Sequence, residues 1–402
     1  MHKLLYVTGE VSLDDYQVIE TYRFDNDYVH IVEDRGPDAK FRLDSTPEEI
    51  VEIDDEFSAQ TMTAPPDVEV GNQRFVGPRE VREFHNVQDR TEPSTVVVMD
   101  SGVDHTHPVF TEEITQFDAT QEGLPTQEPQ DSIGHGTAVA GQIKRMNPQA
   151  RIGSLRVFGE AESTGMRTIL RAYEWLNAHA HSGTYDIVNM SWGTRNDVPT
   201  INRVHEKLIE KDVQDVVAAG NTGSLSGSPG TAESAYSVGS CTPSGEMSDF
   251  SSYNPEQDNP ELTAIGEDVH LARAGGTSMG KRLSEDWTIA SGTSFAAPEV
   301  AGILSTSPEP NDLAQSLVEY ARDVPDTPRD GSGVADHGHA IEGTEPTEET
   351  GSPGSEVVNS TTAKVWSFAG MDSLFLRGDF LESGEYEARV RKDGTVLIDP
   401  NE

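Results

Sequence analysis

Between about residues 70 and 341, short apolar runs alternate with stretches of helical period. Thr95-Val96-Val97-Val98-Met99 and Asp215-Val216-Val217-Ala218-Ala219 are continuous runs of strand length, the pattern of strands buried on both faces. A further strand is expected over 186–190, and helices over 167–180 and 200–210. Strands that alternate with helices build parallel β-α units. The expected fold is therefore α/β, a mainly parallel central sheet with helices on both faces, flanked by small N-terminal and C-terminal β-rich regions.

The flanks differ in character. Residues 1–70 are acidic and predict short strands at 3–7, 28–32 and 40–43, ending in the linker Ala64-Pro65-Pro66-Asp67. Residues 342–356, rich in Gly, Pro, Ser, Thr and Glu, predict a second linker. Residues 357–402 alternate apolar and polar, as in Glu387-Ala388-Arg389-Val390-Arg391, and predict a small β module. The expected division is thus 1–70, a central domain at 71–341, the acidic linker 342–356 and the module 357–402.

Charge excludes several roles. The 402 residues carry 70 Asp and Glu against 29 Lys and Arg, a net charge of −41. A phosphate-binding surface needs an excess of basic residues, so nucleic acid is not an expected partner. The same field repels an anionic membrane. The apolar runs argue against disorder. With only 8 Lys, the composition resembles that of haloarchaeal proteins, whose self-repulsion is screened in molar salt to a Debye length of about 3 Å. Cys241 is the single cysteine, so no intrachain disulfide can form. The start, Met1 to Glu10, lacks an apolar signal core and a twin arginine, and no apolar stretch reaches the roughly 18 residues of a membrane span. A cytoplasmic location is expected, with export by another route left open.

Three segments carry chemistry. The 94–100 run ends in Asp100, followed by Ser101-Gly102-Val103-Asp104; in open α/β sheets ligands bind at the carboxyl ends of strands. Gly134-His135-Gly136-Thr137 opens a helix, with glycines that let backbone and substrate approach the imidazole. Ser291-Gly292-Thr293-Ser294-Phe295-Ala296-Ala297-Pro298 opens another, whose small residues allow close packing and whose dipole favours an anion beside Ser294. Taken singly, each has a plain alternative: a turn cap, a structural histidine, a helix N-cap. Together, an Asp, a His and a Ser at element ends meet the needs of a nucleophilic triad.

With these segments the chain resembles the subtilisin-like serine proteases (subtilases), over about 75–341. Asp100-Ser101-Gly102, Gly134-His135-Gly136-Thr137 and Gly292-Thr293-Ser294-Phe295-Ala296-Ala297-Pro298 match the family's three catalytic signatures in order. The resemblance implies a serine endopeptidase in which Ser294 is the nucleophile, His135 the general base and Asp100 its orienting partner. It assigns the oxyanion hole to the Asn221 side chain and the Ser294 N–H, and substrate binding to Ser191, Trp192 and Gly193 and to Ala218, Ala219 and Gly220. The alternative is a catalytically silent, subtilase-like peptide-binding protein. Protein or peptide is the expected substrate, a monomer the expected state, and no cofactor is required. No metal ligand is assigned, while a structural Ca²⁺ of unknown site is left open. The chain departs from the family's usual residues at Trp192, where a smaller apolar residue is common, at Glu299, where His is common, and at Ala138, Ile265 and Asp336.

By its length, the N-terminal region resembles the inhibitory prosegment of many subtilases, with removal expected between Glu56 and Gly77. A permanent docking module is the alternative. The remaining motifs are weak. Gly275 to Lys281 half-matches a phosphate loop, but Arg282 stands where Ser or Thr must hold Mg²⁺. His105, His107, His337 and His339 form two short pairs far apart. Arg377-Gly378-Asp379 reads as a turn, and Asn359-Ser360-Thr361 accepts glycan only on an exported chain.

Overall fold

The computed structural model describes residues 2–346 except 10, 12, 14–15, 34–49, 64–76, 89–93, 181–182, 255–258, 324–328 and 345, and the backbone of strands between 357 and 400. The expected strand at 40–43, the Ala64-Pro65-Pro66 linker and most of 342–356 lie outside the described residues.

An eight-stranded sheet organises the molecule. Its spatial order is Leu262–Ile265, Ser237–Cys241, Gln214–Ala218, Ile187–Met190, Thr95–Asp100, Arg151–Arg156, Thr115–Asp118 and Thr126–Gln127. Every pair is parallel except the last. The central strand Thr95–Asp100 supplies both faces: Val96 and Val98 join one buried cluster, Val97 and Met99 the other, as a two-residue period requires. The helices His135–Met146 and Thr293–Leu304 cover the first face, and Met166–His179 and Pro199–Ile209 the second. The helix Thr293–Leu304 is buried at all twelve residues. It lies so close to His135–Met146 that a Cβ on Gly302 would stand 2.5 Å from Met146 Cβ.

Ahead of this body, His2–Thr8, Val18–Phe24, Asp27–Glu33 and Ile50–Asp55 form a four-stranded sheet whose pairings are antiparallel. One of its faces joins the second cluster through Tyr6, Tyr22, Phe24, Val29 and Ile31. The chain then enters the body: Ser58–Thr61 is the middle strand of a three-stranded antiparallel sheet, between Ser163–Gly165 and Trp192–Thr194. Beyond the body, Val357–Val365, Gly384–Arg391 and Val396–Pro400 pair antiparallel, as do Ser373–Leu376 and Asp379–Glu382. No helix among the described residues is long and apolar enough to cross a membrane.

Candidate active site

Asp100 ends the central strand, where the backbone turns away through Ser101 and Gly102. It is fully buried, and its carboxylate receives His135 Nδ1 at 2.8 and 3.0 Å. That contact fixes the Nδ1–H tautomer and leaves Nε2 as the base. His135 Nε2 is buried and has no hydrogen-bond partner among the described residues. Burial works against the imidazolium, but the charge and hydrogen bond of Asp100, with Asp131 and Glu162 further off, outweigh it, so His135 sits above its ordinary value.

Asp131 was missed by the sequence reading. The helix that carries His135 starts after Gly134, which is left-handed at φ 95° and has no side chain to cap with. Asp131 replaces that cap, accepting from the N–H groups of Gly134 at 2.8 Å and Thr137 at 2.9 Å. It also accepts from Ser101 Oγ at 2.9 Å, while that hydroxyl receives Gly136 N–H at 2.8 Å. One buried carboxylate thus ties the Asp100 turn to the His135 helix. Its signal was an Asp just before a Gly-rich helix start, the pattern of a cap displaced by a few residues.

Ser294 stands in the first turn of the helix Thr293–Leu304. Phe295 next to it packs against the His135 ring, 5.6 Å between centroids, so the helix start and the imidazole are neighbours. The Ser294 hydroxyl lies 2.5 Å from the Met62 carbonyl oxygen and 3.0 Å from that of Ser191. The Asn221 amide also donates to the Met62 carbonyl. Its Oδ1 receives Thr293 N–H at 2.9 Å and Thr293 Oγ1 at 3.0 Å, which aims the amide. Met62 N–H in turn donates to Ser191 O at 3.3 Å. Met62 is therefore held through its carbonyl by the two groups expected to act on a peptide bond. Nothing local in the sequence marked it, because its partners lie 159 and 232 residues away.

The expected substrate-binding residues divide. Trp192 and Gly193 pair directly with Thr61 and Gln60, and Ser191 supplies the carbonyl just described. Gly220 lines a pocket beside Met62 together with Asn221, Thr194 and Ser252. Ala218 and Ala219 are buried at the end of the strand Gln214–Ala218, outside that lining.

The four histidines of the short pairs are used in other contacts. His105 Nδ1 lies 2.8 Å from Pro129 O and His107 Nε2 2.7 Å from Asp286 O. His337 Nδ1 accepts from Gln88 N–H, and His339 lies against Asp336. A second polar centre lies deeper. Glu299, fully buried on the Ser294 helix, meets His85 Nε2 at 3.0 Å, Gln142 Nε2 at 3.0 Å and Ile265 N–H at 3.1 Å. Burial raises its pKa, against the pull of those donors. His85 Nδ1 faces the Ala335 carbonyl at 2.7 Å and must carry a proton there.

Comparison with known proteins places this geometry. The model of the Subtilase family matches residues 92–338. Subtilisin E of Bacillus subtilis (strain 168) is 30% identical over 231 residues, 53% of this chain and 56% of that protein. The intracellular serine protease of Paenibacillus polymyxa is 31% identical over 234 residues, 54% of this chain and 67% of that protein. The chain thus spans little more than half the length of the first curated relatives. Among solved structures, a lanthipeptide protease superposes with a TM-score of 0.58 at 19% identity, covering 70% of this chain and 99% of that one.

Proposed function

The chain belongs to the subtilase family, and on that premise we propose that it is a salt-adapted serine endopeptidase whose residues 1–62 are its own inhibitor and first substrate. The observation that carries this reading is the Met62 carbonyl, which receives both the Asn221 amide and the Ser294 hydroxyl. A carbonyl so placed is polarised at its oxygen, beside the nucleophile.

The chemistry follows from the residue types. The Ser294 hydroxyl turns from the carbonyls it now contacts, gives its proton to His135 Nε2, and Oγ bonds to the scissile carbonyl carbon. Asp100 holds the tautomer and stabilises the imidazolium without taking the proton. Asn221 donates to the oxyanion as charge develops there. His135 then protonates the departing amine, the C–N bond breaks, and water releases the acyl group by the same steps in reverse order. No cofactor enters this sequence. The first bond cut is Met62–Thr63. The strand Ser58–Thr61 occupies the cleft by backbone pairing, a mode of recognition open to any extended peptide. A protein or peptide substrate bound by a monomer is sufficient. The excess of acidic residues adapts the enzyme to molar salt.

Wild type and Ser294→Ala, purified side by side in molar KCl and sequenced from the N-terminus, test the reading. Wild type is expected to begin at Thr63 and to hydrolyse casein, whereas Ser294→Ala stays intact and inert. An intact N-terminus in an active wild type would remove the prosegment. An inert wild type that a fluorophosphonate does not label would leave a silent peptide-binding protein.

A further inference from the structure

The helix that carries Ser294 is not fixed by its own backbone alone, and one residue outside it acts as a brace, an inference that rests on the protease reading above. Pro298 lies inside that helix and has no N–H to give the Ser294 carbonyl four residues back. That carbonyl receives Ser191 Oγ instead, at 3.0 Å. The turn bearing the nucleophile thus depends on contacts from outside, and the group it must meet, His135, rides on a different helix.

Much of the contact between the two helices is apolar. Gly302 lies over Ile143 and Met146. Such packing is non-directional: it sets how near the helices come, not how they are registered. Side-chain hydrogen bonds add direction. Just past the far ends of both helices, Asn147 Nδ2 meets the Ser305 carbonyl at 3.0 Å and its hydroxyl at 3.1 Å. One tie there leaves the helices free to pivot about it. The second, Gln142 Nε2 to Glu299 Oε1 at 3.0 Å, lies between that pivot and the active site.

Gln142 is fully buried. It stands seven residues beyond His135 (135 to 142), about two turns along and so on the same face. Its amide is used at both ends, since Oε1 accepts from Arg145 Nη1 at 2.8 Å. Arg145 in turn lies over the Trp287 ring, 4.9 Å from its centroid. Trp287 begins the strand Trp287–Ala290 that leads into Ser294, and Glu299 follows Ser294 by five residues (294 to 299). Gln142 therefore reaches the Ser294 segment on both sides of the nucleophile, directly at Glu299 and through Arg145 at Trp287. Glu299 is anchored in addition to the Ile265 N–H of the sheet's outermost strand, at 3.1 Å.

We propose that Gln142 is a positioning residue for the reaction: it fixes the register of the His135 helix against the Ser294 segment, and so the approach of Oγ to Nε2, without touching either. A displacement of about 1 Å between such groups costs roughly a hundredfold in rate.

Gln142→Met keeps the length of the side chain and removes both bonds. It is compared with wild type in molar KCl, each made as the full chain and assayed on a fluorogenic Ala-Gln-Thr-Met peptide, the sequence of residues 59–62. The kcat of folded Gln142→Met should fall roughly a hundredfold, with KM within about twofold of wild type because the cleft is untouched. Self-cleavage at Met62 and the rate of fluorophosphonate labelling should slow by a similar factor. A fall in kcat of less than about tenfold, or a loss carried by KM, would overturn the assignment. Should Gln142→Met not fold, an exchange decides. Gln142→Glu alone sets two carboxylates against each other. Gln142→Glu/Glu299→Gln restores the bond between the helices with donor and acceptor reversed, and keeps an acceptor for Arg145 and for the Ile265 N–H. The double variant should recover kcat to within about tenfold of wild type, a coupling that independent sites do not show. A double variant that is unfolded, or no faster than Gln142→Glu, would overturn the proposal. A wild type that cleaves neither the peptide nor casein, and resists fluorophosphonate, refutes the protease reading itself.

Discussion

The catalytic body and the N-terminal sheet are held by different means. In the body, charge is internal: Glu299, His85, Gln142 and Arg145 are buried among the helices and bonded to one another. The N-terminal sheet keeps a small apolar set of its own, Leu5, Val7, Val32 and Ile50, far less than an independent domain of that size needs. Its other face leans on the body's helices. Around that face runs a seam of ion pairs: Arg203 with Glu52 at 2.7 Å, Lys211 with Asp25 at 2.7 Å, Lys207 with Asp27 at 3.4 Å, and Arg167 with Glu20. The sheet thus depends on the body more than the body depends on the sheet. That asymmetry fits the release proposed for residues 1–62.

The strongest blow to the comparison should come from inside the body. Glu299→Ala leaves His85, Gln142 and the Ile265 N–H without their acceptor in a dry interior. Loss of one partner of such a buried pair costs about 3–5 kcal/mol. Urea titration in molar KCl should register that loss, and Glu299→Gln, which keeps an acceptor oxygen, should lose less. A Glu299→Ala midpoint equal to wild type would mean that the network carries no weight.

Next comes a change that should silence the body without unfolding it. Asn221→Ala removes the amide donor and is expected to lower turnover by about a hundred- to a thousandfold, the loss known for subtilisin's own oxyanion-hole asparagine. Its lost contacts to Thr293 should cost about 1 kcal/mol of stability. Steady-state kinetics beside a melting curve separates the two effects. Unchanged turnover would place the donor elsewhere.

Which of these groups could be read from sequence follows a physical rule. The helices at 167–180 and 200–210 were legible to within a residue, observed as Met166–His179 and Pro199–Ile209, because period and punctuation are local. Asp100, His135 and Ser294 were legible because each sits in its own Gly-rich turn. Met62 was not: Ser58-Ala59-Gln60-Thr61 has no distinctive local pattern, and its role arises from pairing with strands about 100 residues or more away. Glu299 was noticed only as a departure from the family. His85, 214 residues away, gave no sign that it would meet it.

A smaller effect concerns pH. In the proposed mechanism catalysis needs neutral His135, and the fold holds this imidazole above the ordinary 6.5. The acid limb of kcat/KM should therefore lie above that value, with activity lost as pH falls through it. Asp131→Asn removes a negative charge that favours the imidazolium, so the limb should move to lower pH. A pH–rate profile of both enzymes decides; a limb displaced upward in Asp131→Asn would contradict the electrostatic assignment.

The smallest expected effect tests the seam itself, and there the sign matters more than the size. Salt acts on this chain in two directions. It relieves the self-repulsion of a −41 charge, which steadies the body. It also shortens the Debye length from about 10 Å at 0.1 M to about 3 Å at 1 M, which weakens pairs that reach water, such as Lys211 with the half-exposed Asp25. Each such pair contributes about 0.2–1 kcal/mol. In intact Ser294→Ala, amide exchange in the strands His2–Thr8 and Asp27–Glu33 should therefore gain less protection from molar KCl than exchange in Thr95–Asp100. The double variant Arg203→Ala/Lys211→Ala, compared with its parent in dilute buffer, should speed exchange in the sheet by roughly tenfold, two modest pairs combined, and leave the central strand unmoved. Parallel protection of sheet and body at every salt concentration would show that the seam is held by its apolar face alone, and that salt does not govern release of the sheet.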